Sequence, residues 1–230
     1  MSDPQPSPEQ AVPETVRLLD DLREQVRPAL VGTLLLTLIT GVAFPVVLAV
    51  IVIPFFSHQS KGSLLAHQGV LVGSELIGQS FSRPEYFHPR PSAAGDGYDA
   101  KASGGTNLAP SNPKLRDGGS KSYAGVRELA AAYRRVNGLA ADAVVPIDAA
   151  TCSASGLDPH ISPANAALQV PRVARQRRLS EDAVRYLVAQ QTQGPQLGFL
   201  GEARVNVLLL NLALDEVSSR SANSDNRKIP

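Results

Sequence analysis

From Ala29 to Phe56 the sequence reads ALVGTLLLTLITGVAFPVVLAVIVIPFF, without one charged side chain. A helix rises ~1.5 Å per residue, so this stretch is longer than is needed to cross a ~30 Å hydrocarbon core. A buried core helix rarely stays free of charge for such a length. A cleaved signal peptide is disfavoured as well, because Asp20, Asp21 and Glu24 precede the stretch and no Ala-x-Ala site follows Phe56. The expectation is a single retained transmembrane helix. Pro45 is expected to bend it by removing a hydrogen bond, and Pro54 to mark its exit. Thr33, Thr37 and Gly41 stand four residues apart and share one side, a strip of small residues that lets a neighbouring helix approach closely.

The segment after the span is large enough to bury its own core; the segment before it is not. Arg17, Arg23 and Arg27 precede the span, whereas Lys61 is the only Lys or Arg in the first fifteen residues after it. That bias places the N-terminus in the cytoplasm and the main domain outside. From residue 57 onward there are 19 Lys plus Arg against 15 Asp plus Glu, a net of +4. So weak a balance argues against a nucleic-acid surface and gives no reason for the domain to concentrate cations. With Cys152 as the sole cysteine, no internal disulfide is possible, so an exported domain must rely on packing or on another protein.

In chain order, Met1 to Pro13 has almost nothing to bury and reads as disordered. Val16, Leu19, Leu22 and Val26 predict an amphipathic helix over Glu14 to Val26, ending before Pro28. Ser57 to Leu65 reads as a polar exit, Gly69 to Gly73 as a short buried strand, and Glu75 to Ile77 as a short helix. Ser82 to Gly119 is too rich in proline and glycine for regular structure. Yet it contains Tyr86, Phe87, Tyr98 and Leu108, which predicts an ordered recognition loop. Its Gly104 and Gly105 suit positive dihedrals or a close backbone approach, and Asn107, Ser111 and Asn112 suit the capping of turns.

A helix is predicted from Ser122 to Asn137 with Gly138 as its stop, then a short strand at Val144 and Val145 before Pro146. Ser162 as N-cap with Pro163 behind it announces another helix, and a further one starts after Ser180 and ends at Gly194 and Pro195. Arg172, Arg175, Arg177 and Arg178 crowd together, either as a solvated basic face or as a contact to lipid headgroups or an acidic partner. Arg204 to Asp215 is apolar enough for core or interface, either as a strand entering a helix or as one helix capped by Asn206. From Ser218 to Pro230 the composition turns polar and a flexible tail is expected.

Ser153, Ser155, Asp158 and His160 invite a hydrolase reading, but neighbours along one turn seldom align a nucleophile, base and orienter, and no Gly-x-Ser-x-Gly elbow occurs. A metal site at Asp158 and His160 lacks further ligands at a suitable spacing. There is no P-loop and no Asp-Lys-Thr-Gly phosphorylation segment, and one span cannot enclose a transport path. The chain is expected to act in company.

Five segments carry a resemblance: GVLVGSELIGQSF (Gly69 to Phe81), PEYFHPRPSA (Pro84 to Ala93), SGGTNLAPSNP (Ser103 to Pro113), SGLDPHISPANAALQVPRVA (Ser155 to Ala174) and LGFLGEARVNVLLLNLALD (Leu197 to Asp215). Together they resemble the signature segments of the C subunit family of the bacterial Kdp potassium-transporting ATPase. The resemblance implies an accessory subunit without catalysis of its own, needed for assembly and ATP-driven potassium uptake. Its implied partners are a potassium-channel-like subunit, a P-type ATPase subunit and a very small hydrophobic subunit, with membrane lipid around the anchor. The complex would use ATP, Mg and potassium, with no cofactor assigned to this chain. It also implies a bacterial inner-membrane location with the main domain against the outer side of the channel-like subunit. The family loop falls on Ser103, Gly104, Gly105, Asn107, Leu108, Pro110, Ser111, Asn112 and Pro113, its second segment on Gly156 to Ser162, and its R-x-x-R helix on Arg172 and Arg175. Asp99, Thr106 and Ala109 depart from the family's asparagine, serine and glycine, and the N-terminal extension is longer than usual.

The expected fold is therefore α+β: an N-terminal extension over 1–28, a transmembrane helix over 29–56, one extracytoplasmic mixed α/β domain over 57–217, and a tail over 218–230. Two other classes remain as alternatives: an anchored extracytoplasmic hydrolase built on Ser153 or Ser155 with His160, and a solitary solute-binding protein.

Overall fold

A computed structural model describes residues 14–119 and 123–226. Contacts divide the chain into two units between Ser60 and Lys61. The disorder expected for Met1 to Pro13 lies outside the described residues.

The first unit contains α1 (Glu14–Leu38), a π-helical turn (Ile39–Ala43), α2 (Phe44–Phe55) and α3 (Ser57–Ser60). The predicted amphipathic helix does not stop before Pro28. It continues as α1 with Pro28 inside it, because a proline deletes only its own N–H donor and long flanking turns keep the helix going. Pro45 is accommodated by a local widening of the helix: the amide of Phe44 donates to the carbonyl of Ile39, five residues back. Thr40 Oγ1 donates to the Leu36 carbonyl at 2.7 Å in the same region. Pro54 sits in the last turn of α2, which Phe56 closes by donating to Val52 O at 2.8 Å. Asp21–Phe55 is long and apolar enough to cross a membrane, with a mean hydropathy of 2.7 in its most apolar window and none of that window buried. Apolar side chains exposed all round a helix suit lipid or partner helices rather than water.

The second unit opens with an antiparallel hairpin of β1 (Leu64–His67) and β2 (Val70–Ser74). Gln68 and Gly69 both have positive φ (51° and 80°), the backbone a two-residue type I′ turn demands. This revises three expectations. The polar exit supplies α3 and the start of a strand; the strand at Gly69 to Gly73 is real, but Val70 and Leu71 are exposed; and Glu75 to Ile77 is a turn. An apolar run between glycines specifies a strand but not which of its faces is covered.

A long irregular segment then leads to α4 (Pro113–Asp117) and α5 (Val126–Asn137). Helix α5 starts four residues later than expected, after Gly125 at φ 93°, and it ends as predicted at Gly138 in the left-handed region. Val144 and Val145 form no strand. They lie in irregular chain before a 3₁₀ turn (Ile147–Ala149), and Pro146 brings no donor with which to extend a ladder.

The rest builds the core. Strands β3 (His160–Ile161), β4 (Thr192–Gln193) and β5 (Arg204–Asn206) form an antiparallel sheet with β5 in the centre. Helices α6 (Pro163–Arg177) and α7 (Glu181–Gln191) begin at the predicted caps, with Ser162 Oγ accepting from Asn165 N and Ser180 Oγ from Ala183 N. The apolar run from Arg204 is a strand that passes into α8 (Val207–Asn226), and Asn206 Oδ1 accepts from Leu209 N at 3.1 Å. Helix α8 carries on through part of the expected tail; residues 227–230 lie outside the described residues. Ile161, Val170, Val173, Val184, Val205, Leu210 and Leu214 pack into one cluster, and Phe87 from the irregular segment is its aromatic member.

Two carboxamides hold Phe87 there. Asn211 Oδ1 accepts from Phe87 N at 2.8 Å and its Nδ2 donates to Phe87 O at 3.0 Å. Gln169 does the same for His88, accepting its N–H at 2.8 Å and donating to its carbonyl at 3.0 Å. Each side chain thus serves the backbone as a neighbouring strand would. Asn211→Ala leaves a buried N–H and C=O without partners and is expected to cost about 1–3 kcal/mol. Phe87→Ala is expected to cost about 3–5 kcal/mol by emptying the core. Denaturant unfolding of the full chain in micelles checks both, and a loss below 0.5 kcal/mol for either, on the order of a surface change, contradicts this account of the core.

Candidate functional site

Four of the five segments that carry the family resemblance come together around the turn at residues 151–158. Arg90 reaches into it from the irregular segment, with Nη1 donating to Asp158 Oδ2 at 2.8 Å, Nε to Thr151 O at 3.3 Å and Nη2 to Cys152 O at 3.3 Å. Ser92 Oγ donates to Gly156 O at 2.6 Å and accepts the amides of Ala94 and Tyr98. The Tyr98 hydroxyl donates to Arg90 O, and burial pushes its pKa up, so it remains a donor. From the next loop, Ser103 Oγ and the Gly104 amide both donate to Ser155 O, at 3.0 and 2.8 Å. Gly78 N donates to Leu157 O at 2.7 Å from the other side.

The two adjacent glycines of the second loop are not equivalent. Neither has a positive φ. A Cβ on Gly105 would stand 2.9 Å from Ala154 O and 3.0 Å from Ser153 O, whereas one on Gly104 would meet nothing nearer than 4.0 Å. Gly105 is the position that lets two backbones touch. Gly156 faces the same junction at φ 66°, and a Cβ there would lie 2.5 Å from Gly104 O.

Asp158 and His160 border a cavity of ≈ 490 Å³ whose walls also include Arg90, Asp148, Glu202 and Arg204. Asp158 Oδ1 accepts the His160 amide at 3.0 Å and faces its Nδ1 at 3.2 Å. Partial burial opposes ionisation of Asp158, but the hydrogen bonds from His160 and from Arg90 outweigh it and bring its pKa down to about 2. The hydrolase alternative required a serine hydroxyl within reach of the imidazole beside a pocket. Ser153 Oγ instead lies 3.3 Å from Ser155 Oγ, which accepts from Leu157 N, and neither serine lines the cavity. No group of three His, Cys, Asp or Glu able to hold a metal occurs among the described residues. Burial pushes the Cys152 thiol up, against the pull of Arg90.

The other candidate residues spread over several places. Thr37 and Gly41 are neighbours on one helix face, with Thr37 Cγ2 3.9 Å from where a Gly41 Cβ would stand; Thr33 lies one turn earlier and is exposed. Asn107 is exposed at φ 51° and Ser111 is exposed. Asn112 is spent as the cap of α4, accepting from Lys114 N at 3.0 Å. The arginine cluster divides. Arg172 is buried and donates to Asn137, Pro84 O, Tyr86 O and Gln169, so it does not belong to a solvated basic face. Arg177 pairs with Asp215 at 2.8 Å and donates to Glu85 O, while Arg175 is exposed. Residues not singled out from sequence also stand out. Leu197 and Phe199, 82 % and 74 % exposed, project from the turn between β4 and β5. The signal for them was apolar residues alternating with Gly198 and Gly201, a pattern that fits neither helix nor strand periodicity.

The family model described as "K+-transporting ATPase, c chain" matches residues 26–216. Curated relatives named "Potassium-transporting ATPase KdpC subunit" include one from Mycobacterium bovis, 50 % identical over 196 residues that span 85 % of this chain and all of the relative. One from Koribacter versatilis is 45 % identical over 84 % of this chain and 95 % of its own length. Another, from Beijerinckia indica, is 50 % identical over 84 % and 93 %.

Two predictions follow from the geometry of the junction. Gly104→Ala should change unfolding free energy by less than about 0.5 kcal/mol, while Gly105→Ala should cost about 1–3 kcal/mol through overpacking. Equal effects on thermal unfolding would contradict the close backbone approach at Gly105. For Asp158, the folded-state pKa lies below the 3.8 of an unperturbed aspartate. Its stabilising contribution is therefore complete above about pH 4 and is lost as pH falls toward about 2. The stability gap between the unaltered chain and Asp158→Asn should narrow over that window; a gap that stays constant would show that the Arg90 and His160 contacts do not hold the charge.

Proposed function

Because this chain belongs to the C-chain family of the K+-transporting ATPase and is an accessory subunit of that potassium uptake pump, we propose that it acts by docking, without ATP chemistry of its own. Its partners are the other Kdp subunits. On this reading the helix of the first unit anchors the chain in the bacterial inner membrane with the N-terminus in the cytoplasm, and the second unit works on the outer side. There it meets the channel-like subunit, while the P-type subunit binds ATP and Mg and the very small hydrophobic subunit packs in the membrane. The strip at Thr33, Thr37 and Gly41 is the proposed seat for a partner helix.

The observation that carries the docking reading is the cross-bracing of the motif loops. Arg90, Ser92, Ser103 and Gly104 all donate into the 151–158 turn, which fixes a surface before any partner arrives. A preformed surface loses little conformational freedom on association. Asn107, Ser111, Leu197 and Phe199 are the exposed groups offered for contact. To affect a distant ATP site, these contacts must differ between two states of the pump, since coupling free energy arises only from differential interaction.

Asn107 and Asn112 are poor probes, because one holds a left-handed backbone and the other caps a helix. Ser111→Glu and Phe199→Asp are cleaner. Each should shift the unfolding midpoint of the chain little, within about 0.5 kcal/mol. Each should also reduce the amount of pump subunits recovered with the chain from mild-detergent extracts. Unchanged recovery with both variants would contradict docking through these loops.

A further inference from the structure

A cavity of ≈ 380 Å³, distinct from the one beside His160, lies between the C-terminal end of α5 and α6. Arg135, Arg172 and Arg175 line it together with His88, Asn137 and Gln176, and no carboxylate is among the residues that form it. Arg172 is only 6 % exposed, and its hydrogen bonds end on the side-chain oxygens of Asn137 and Gln169 and the carbonyls of Pro84 and Tyr86. All of those acceptors are uncharged. Among the described residues no ion pair involves Arg135, Arg172 or Arg175, while Arg177 on the same helix has Asp215. Burial, with the neighbouring Arg172 charge, also lowers the pKa of His88, so the positive charge at this wall resides on guanidinium groups.

A buried guanidinium with neutral partners keeps its full charge in a medium that solvates it poorly, a cost that an anion in the cavity would offset. Arg172 spends four of its N–H groups on protein acceptors and contributes mainly charge, while Arg135 and Arg175 supply more N–H donors than the two oxygens of one carboxylate accept, which suits the oxygens of a phosphate better. We propose that this cavity binds a phosphate group, either free or as the headgroup of an anionic phospholipid. Arg172 forms its floor, and Arg135 and Arg175, both exposed, close over the ligand from the rim. Such a site is separate from the docking loops and does not depend on them.

The test is isothermal titration of the full chain in zwitterionic detergent micelles, at fixed ionic strength, with inorganic phosphate in one arm and micelles doped with phosphatidylglycerol in the other. Saturable binding in either arm is expected, weakened about tenfold or more by Arg135→Glu combined with Arg175→Glu and restored by the corresponding lysine variants. Both variants alter exposed side chains, and thermal unfolding checks that they fold. Binding of phosphate alone identifies a free oxyanion as ligand; binding of the doped micelles alone identifies the headgroup. Absence of saturable binding in both arms, or binding indifferent to the reversed charges, overturns the proposal. So does a pair of reversed charges that releases the chain from the other pump subunits while neither probe binds, since the occupant would then be a partner's carboxylate.

Discussion

Gln169 and Asn211 hold the backbone of Phe87 and His88 between α6 and α8, and the rest of the second unit depends on that grip. The segment around Phe87 has no strand partner and no helical turn to satisfy its amides and carbonyls. Two side-chain amides satisfy them instead, which allows a proline-rich loop to deliver an aromatic ring to the core. Burial of the ring contributes the hydrophobic gain; the carboxamides prevent the backbone that carries it from being buried unpaired.

The same anchoring decides what the neighbouring residues can do. Once Phe87 and His88 are fixed, Arg90 and Ser92 stand where they can donate into the 151–158 turn, and the Ser103 loop closes over the same turn. Polar side chains of the types that carry chemistry elsewhere are used here to brace loops against each other. Asp158 is a clear case: its charge is held by Arg90 and His160, so the motif that contains it works as a rigid corner. A subunit that must present the same face to large partners benefits from such a corner.

What was legible in the sequence was mostly local. The caps at Ser162 and Ser180 and the stop at Gly138 depend on residues a few positions apart, and the structure places them as read; the apolar stretch is helical, but it continues from α1 without the break expected before Pro28. Elements whose outcome depends on distant partners were harder. Only the second strand of the hairpin at Leu64 to Ser74 was legible, because the first is four residues, Leu64–His67, that directly follow a polar stretch and alternate too briefly to stand out, and Val144 and Val145 had no strand to pair with. Arg172 was read as one of a crowd of surface charges. Its spacing from Asn165 and Gln169, seven and three residues, puts all three on one face of α6, but only the loop from Pro84 to His88 makes that face an interior one. The exposure of Leu197 and Phe199 was not legible even though both lie in a recognised motif, because no helix or strand period marks which way they face.

An accessory subunit is defined by what its partners lose without it. The most direct measurement is potassium-stimulated ATP hydrolysis by the pump purified without this chain, then with the chain added back, alongside the chain alone. The account predicts no hydrolysis by the chain alone, a deficient pump without it, and recovery on addition. Full potassium-stimulated activity in its absence, or hydrolysis by the isolated chain, would contradict the account.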